Sequence, residues 1–149
     1  MPTLFPLQQL LDLAQQRSED AALVMLRLKQ AWLEAQSKLE QLETYLVEYR
    51  LRLQESTLEG LSIIRWRDYQ AFIGKLEVAI KAQHEEVERC RLRWEQGQSG
   101  WQACEREVKA YSTLRERHHK AEQIKEVRLD QRQQDEFARN QHHRKSHQE

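Results

Sequence analysis

The chain has 149 residues, of which 32% are charged and 39% hydrophobic, with only 4 glycines and 2 prolines. Such a composition is typical of long helices rather than of a compact globule. Because 24 basic residues balance 24 acidic ones, the chain has no net charge that would favour nucleic acid or an anionic membrane as a partner.

The apolar stretch near the N-terminus, TLFPLQQLLDLA, has no basic flank and is interrupted by Gln and Asp. It is typical of neither a signal peptide nor a membrane span, so we expect a cytoplasmic protein.

The first predicted element is a helix over about residues 4–55. Apolar residues recur at alternating steps of four and three, and only Ser18 interrupts them. This 3.5-residue spacing predicts a helix that supercoils against a partner. The positions are Leu7, Leu11, Ala14, Ser18, Ala21, Met25, Leu28, Trp32, Ala35, Leu39, Leu42, Leu46, Tyr49 and Leu53.

A turn over about residues 56–62, with Ser56, Thr57 and Gly60, precedes a second helix over about 63–140. Its stripe crosses GQSG at 97–100 without a change of register, so we interpret these glycines as a weak spot within one helix. After Tyr111 the regular spacing of apolar residues is lost. The positions of this stripe are Trp66, Tyr69, Ile73, Leu76, Ile80, Gln83, Val87, Cys90, Trp94, Gly97, Trp101, Cys104, Val108 and Tyr111.

Two long helices joined by a short turn predict an all-α fold, a single antiparallel coiled-coil hairpin over residues 1–149. The second helix is longer and should overhang the first. If the first helix begins near Leu4, its start lies opposite about residue 112 of the second helix. The remainder of the second helix is then expected to be frayed or bound to a partner.

Heptad positions single out one flank of the hairpin. Tyr45, Phe72 and Ala79 fall at g positions, which share one side of an antiparallel pair, and the expected turn brings Tyr45 within about one helical turn of Phe72. The outer edges of neighbouring seam residues extend this side. We call the set the aromatic flank, and it comprises Leu42, Tyr45, Tyr49, Phe72, Leu76 and Ala79. From the pattern alone, it is either a patch for a partner or a broadened two-helix core.

Catalytic and metal-binding motifs are missing from the sequence. It contains no glycine-rich phosphate loop, GxSxG, HExxH or paired CxxC, so we predict no enzyme, cofactor or metal site. His142, His143 and His147 have helical spacing but no accompanying carboxylate or thiolate, which favours solvated side chains over the alternative of a metal site. Cys90 and Cys104 are separated by roughly 21 Å on one helix, too far for a disulfide.

Three separated stretches carry a family resemblance: LETYLVEYR at 42–50, RWRDYQAFIGKLEVAI at 65–80 and RLDQRQQDEFAR at 128–139. In these stretches, in their order and in its length, the chain resembles the FliJ family of flagellar type III export proteins. The resemblance covers nearly the whole chain.

The resemblance implies a cytoplasmic, stalk-like adaptor that is similar to the central stalk of rotary ATPases. Its implied partners are a FliI-like export ATPase hexamer, the cytoplasmic region of the export gate protein FlhA, and substrate-specific export chaperones. Through them the protein would be peripheral to the inner membrane at the flagellar base. Residues matching the gate-binding patch of the family are those of the aromatic flank.

We expect the free end of the hairpin to insert into the ATPase ring as a stalk does. This end consists of residues 7–21 and of the second helix beyond Tyr111. Two alternatives stay open from the sequence. One is the equivalent stalk protein of a needle-type secretion system, and the other is a purely structural coiled-coil rod.

Overall fold

The computed structural model describes residues 3–148. It contains two helices, α1 (Gln8–Glu59) and α2 (Ile63–His147), and no strand occurs among the described residues. The all-α prediction, with two long helices packed against each other, is confirmed. Backbone contacts group the chain into two compact units: Glu19–Gln102, and the stretch up to Ser18 together with the stretch from Ala103 onward. Whether the chain behaves as a single domain stays a prediction.

The turn is shorter than the sequence suggests, because α1 continues through the polar residues at its end. Thr57 does not break the helix, since its hydroxyl donates to the carbonyl of Leu53 at 2.7 Å. The reversal falls at Gly60, whose φ of 95° is a conformation that glycine adopts without a steric penalty. Ser62 then caps α2, as its Oγ accepts from the backbone N–H of Arg65 at 3.3 Å.

Within the unit Glu19–Gln102 the helices are antiparallel. Trp32 stacks on Trp94 with ring centroids 5.2 Å apart. Further along α1, the carbonyl of Ala35 accepts from Gln83 Nε2 at 2.9 Å. Since the partner of each later α1 residue lies earlier in α2, the two chain directions are opposed.

The predicted seam is largely confirmed. Every position of the first stripe, from Leu7 just before α1 to Leu53, is buried or half-buried. So is every α2 position of the second stripe except Trp66. Trp66 is 45% exposed, contrary to the pattern, because it lies in the first turn of α2, where α1 is ending. The apolar residues that are most completely buried are Leu11, Ala14, Ala35, Ile73, Leu76 and Cys90.

Gly97 is a seam residue with a packing role. A Cβ at this position would lie 2.8 Å from Leu28 Cδ1, so the missing side chain leaves room for the leucine. Helix α2 continues through Gly97 and Gly100 without interruption. The stretch GQSG is therefore part of one helix, as the unbroken register predicts.

In the other unit, Ser18 donates from its hydroxyl to Glu105, and Leu11 is completely buried. The residues before α1 reach further along α2 than expected: Thr3 contacts His118 and Glu122 rather than the region near residue 112. The difference has a simple cause. Ser18 meets Glu105, so counting fifteen residues back to Thr3 and fifteen forward along α2 leads to about residue 120. The pairing is shifted along α2 because α1 continues to Glu59.

Candidate functional site

The aromatic flank lies in the unit Glu19–Gln102 and is built from three residues of each helix. Tyr45 and Phe72 are exposed, at 53% and 40% of their maximal areas, whereas Leu76 is 8% exposed and belongs to the core. Leu42, Tyr49 and Ala79 are half-buried. The six predicted residues thus divide into two that offer surface and four that support it.

Tyr49 is the centre of the ring contacts on this flank. Its ring centroid lies 4.4 Å from that of Phe72 and 6.4 Å from that of Tyr69. The guanidinium carbon of Arg52 lies 5.2 Å from the Tyr49 ring centroid, within cation–π range. Phe72 is therefore anchored by contact with Tyr49 while part of its ring stays in solvent.

The expected neighbour of Phe72 was Tyr45. In the described part of the chain no aromatic ring pairs with Tyr45, and Phe72 meets Tyr49, one turn later in α1. The cause is the length of α1, which ends at Glu59 rather than near residue 55. That difference of about one turn moves Tyr49 into the place expected for Tyr45.

Sequence reasoning missed two members of this surface, Arg52 and Tyr69. Both lie three residues from a predicted member on the same helix face, Arg52 after Tyr49 and Tyr69 before Phe72. That spacing was the available signal. Together with Tyr49 and Phe72 they line a shallow groove of about 430 Å³, to which Arg65 and Asp68 add charges of both signs. The groove can accept an apolar or aromatic side chain and a polar neighbour.

Further along α2 the surface is dominated by charge pairs within the helix. Arg89 bonds to Glu86 at 2.7 Å, and Arg91 pairs with both Glu88 and Glu95. Such exposed pairs contribute little to stability and make a well-solvated face. Against that background, exposed aromatic rings are the exception.

Cys90 is not set up as a reactive group. Cys90 and Cys104 are both free thiols, and Cys90 is buried in the seam. Burial and the neighbouring Glu86 carboxylate raise the pKa of the Cys90 thiol. A thiol that stays protonated is a poor nucleophile, which agrees with a packing role.

A second set of contacts fastens the start of the chain to α2, and we call it the N-terminal clasp: Thr3, Phe5, His118 and Glu122. The Thr3 hydroxyl donates to Glu122 Oε1 at 2.7 Å. His118 Nε2 donates to the Thr3 carbonyl at 2.9 Å, since a carbonyl oxygen can only accept. The Phe5 ring lies 5.7 Å from the His118 ring. Hydrogen bonds from the Thr3 hydroxyl and backbone, with Lys125 and His118 nearby, lower the pKa of the Glu122 carboxyl.

Beyond the clasp the character of α2 changes. Every residue from Gln123 to Gln148 is exposed, although α2 stays helical as far as His147. Some of these exposed side chains are large and apolar, namely Ile124, Val127, Leu129 and Phe137. The fully exposed part of α2 therefore begins immediately after the clasp, later than the position near residue 112 that the sequence suggests.

Within residues 3–148, no three His, Cys, Asp or Glu side chains converge as ligands of one metal ion. None of the helices in this range has a stretch long and apolar enough to cross a membrane.

The fold defines a class: an all-α protein in which two long helices pack against each other. The family described as "Flagellar FliJ protein" matches residues 3–147. A flagellar FliJ protein of Escherichia coli K12 is 33% identical over 132 residues, which cover 89% of this chain and 90% of the relative. One from Salmonella typhi is 31% identical over the same shares. The chain belongs to the flagellar FliJ family, which confirms the resemblance and supports a role in flagellar export.

We predict that Tyr45→Ala and Leu76→Ala change the free energy of unfolding by different amounts, because Tyr45 is a surface residue and Leu76 a core residue. Tyr45 is half exposed, so its loss should change the free energy of unfolding by less than about 0.5 kcal/mol. Leu76 is buried, so its truncation should cost about 2 kcal/mol or more. Urea unfolding followed by circular dichroism measures both. Equal costs for the two variants would mean that Tyr45 is part of the core.

We predict that the N-terminal clasp weakens in acid. The lowered pKa of Glu122 means that its contribution is present above the ordinary value of 4.5 and is lost as the pH falls through the lowered pKa. The Thr3 amide resonance should report this loss in an NMR titration.

Glu122→Gln should abolish that acid transition, whereas Glu126→Gln, on the exposed surface one turn further on, should leave it in place. The opposite pattern, or a transition that neither variant alters, would show that another group controls the clasp.

Proposed function

We propose that this protein is a cytosolic, stalk-like adaptor of flagellar export that connects the export ATPase to the export gate. Membership of the flagellar FliJ family supports the flagellar system over a needle-type one. The observation that carries the proposal is the exposure of the aromatic side chains of Tyr45 and Phe72 on the aromatic flank, where Phe72 also packs on Tyr49. A purely structural rod would have no need of them.

The aromatic flank is the proposed surface for the cytoplasmic region of the gate protein FlhA. Binding anchors in interfaces are commonly aromatic side chains that fill a pocket and lose water on binding. Phe72 meets this description in part already, since Tyr49 holds its ring while 40% of its area remains exposed. A partner that covers Tyr45 and Phe72 therefore gains apolar contact without having to order either helix.

The unit that contains the N-terminal clasp is the proposed surface for the FliI-like ATPase hexamer. Residues 123–148 form exposed helix with four large apolar side chains, a pattern that favours burial against a partner. The clasp holds the start of the chain against α2 immediately before this segment. Export chaperones are further proposed partners, and the protein would lie at the inner membrane only through such partners. No catalytic step is assigned to it.

We predict that Tyr45→Ala combined with Phe72→Ala weakens binding to the purified cytoplasmic region of the gate protein. Loss of two anchors should cost about 2 kcal/mol or more, roughly thirtyfold in Kd. Isothermal titration calorimetry measures the affinity, and circular dichroism verifies the fold.

A matched control replaces two other exposed apolar residues of the same unit, Leu33→Ala with Val78→Ala, which are 52% and 70% exposed. It should bind as the wild type does. If both double variants lose affinity equally, or neither does, the aromatic flank is not the gate surface.

We also predict that a chain ending at Glu122 no longer promotes assembly of the ATPase ring. Removing residues 123–149 keeps all four residues of the N-terminal clasp but removes the ion pair of Lys125 with Glu122. The Thr3 amide resonance therefore serves as the control that the clasp still forms in the shortened chain. Electron microscopy of the ATPase, mixed with the full-length or the shortened chain, gives the fraction of ATPase that is assembled into rings. The Tyr45→Ala, Phe72→Ala variant should still promote rings. An undiminished ring fraction with the shortened chain would contradict the assignment.

A further inference from the structure

The C-terminal end of α2 carries two histidines, His143 and His147, on one face. A spacing of four residues makes side chains neighbours on a helix. Their ring centroids lie 5.0 Å apart, and the rings are inclined at 66°. Both side chains are exposed, so both can reach an ion from solution.

The separation of these rings suits one shared metal ion. Imidazole nitrogens bind Zn²⁺ at about 2.0–2.1 Å, and a ring centre lies a little over 1 Å behind its nitrogen, so two imidazoles at a tetrahedral angle have centres about 5 Å apart. The centroid distance in α2 has this value. The rings are inclined edge to face, so chelation requires side-chain rotations that aim one nitrogen of each ring at the ion.

The electrostatic setting of the pair is mixed. Arg144 and Lys145 raise the local positive charge, which opposes a cation. They project to other faces, because successive helix residues are about 100° apart. The carbonyls at the C-terminal end of α2 carry a partial negative charge, which favours a cation there. The positive side chains and the helix carbonyls thus have opposite effects on a bound cation. Specific binding then depends on the bonds from the two imidazole nitrogens to the ion.

The other histidines differ from this pair in their surroundings. His118 is engaged with the Thr3 carbonyl, and His84 lies 3.5 Å from a Glu43 carboxylate oxygen. His142 is adjacent in sequence but lies on a different face of α2. The pair also has no third protein donor among the described residues.

We propose that His143 and His147 bind one divalent transition ion of the class that accepts imidazole, with Zn²⁺ as the representative and water in the remaining positions. The proposal is independent of the export role. Binding requires both rings on one side of one helical turn, so an ion that binds there also stabilises the end of α2 as helix.

The test is calorimetric titration of the full-length protein with zinc chloride. The wild type should bind one Zn²⁺ at this site, and His143→Gln or His147→Gln should each weaken that binding at least tenfold. His142→Gln is the matched control and should bind as the wild type does. If it loses as much affinity as the other two, or if none of the three loses any, the pair is not a chelating site.

A rescue variant tests the spacing itself. Combining His147→Gln with Ser146→His provides a histidine four residues after His142, so an equivalent pair forms on the neighbouring face. Zinc affinity should return, together with the gain in helicity that zinc produces in the wild type. Failure of this variant to recover zinc binding would contradict chelation across one helical turn.

Discussion

The 3.5-residue spacing of apolar side chains is the constraint that pairs α1 with α2. Because only two helices share the seam, few of the described side chains are buried, and these are seam residues such as Leu11 and Ile73. Residues just beside the seam are covered on one side only. Phe72 occupies such a position, which explains how one ring can be both packed on Tyr49 and open to solvent.

Much of this was accessible from the sequence, because heptad spacing determines which residues face the partner helix. Local events were harder to predict. Thr57 looked like a turn residue, yet its hydroxyl bonds back to Leu53 and α1 continues, which brings Tyr49 rather than Tyr45 to Phe72. The same extension of α1 shifts the pairing of the whole seam, so Thr3 contacts His118 and Glu122 rather than the region near residue 112. The ring separation of His143 and His147 also depends on side-chain rotamers.

The proposed role uses different surfaces for different partners. The aromatic flank lies within Glu19–Gln102, whereas the N-terminal clasp and the exposed end of α2 belong to the other compact unit. Each surface has its own chemistry, aromatic in the first and mixed apolar and charged in the second. An adaptor benefits from this division, because a change at one surface need not disturb binding at the other. The family match and the exposed rings together make export the best-supported context.

The central claim is that the gate protein covers the aromatic flank, and site-specific photo-cross-linking tests it most directly. A photoreactive phenylalanine would be placed in turn at position 45, at position 72 and at Leu33, an exposed residue outside the flank. Each chain would then be irradiated with the cytoplasmic region of the gate protein. The account predicts cross-links from positions 45 and 72 and none from 33. Cross-links from 33 alone, or equally from all three positions, would contradict it.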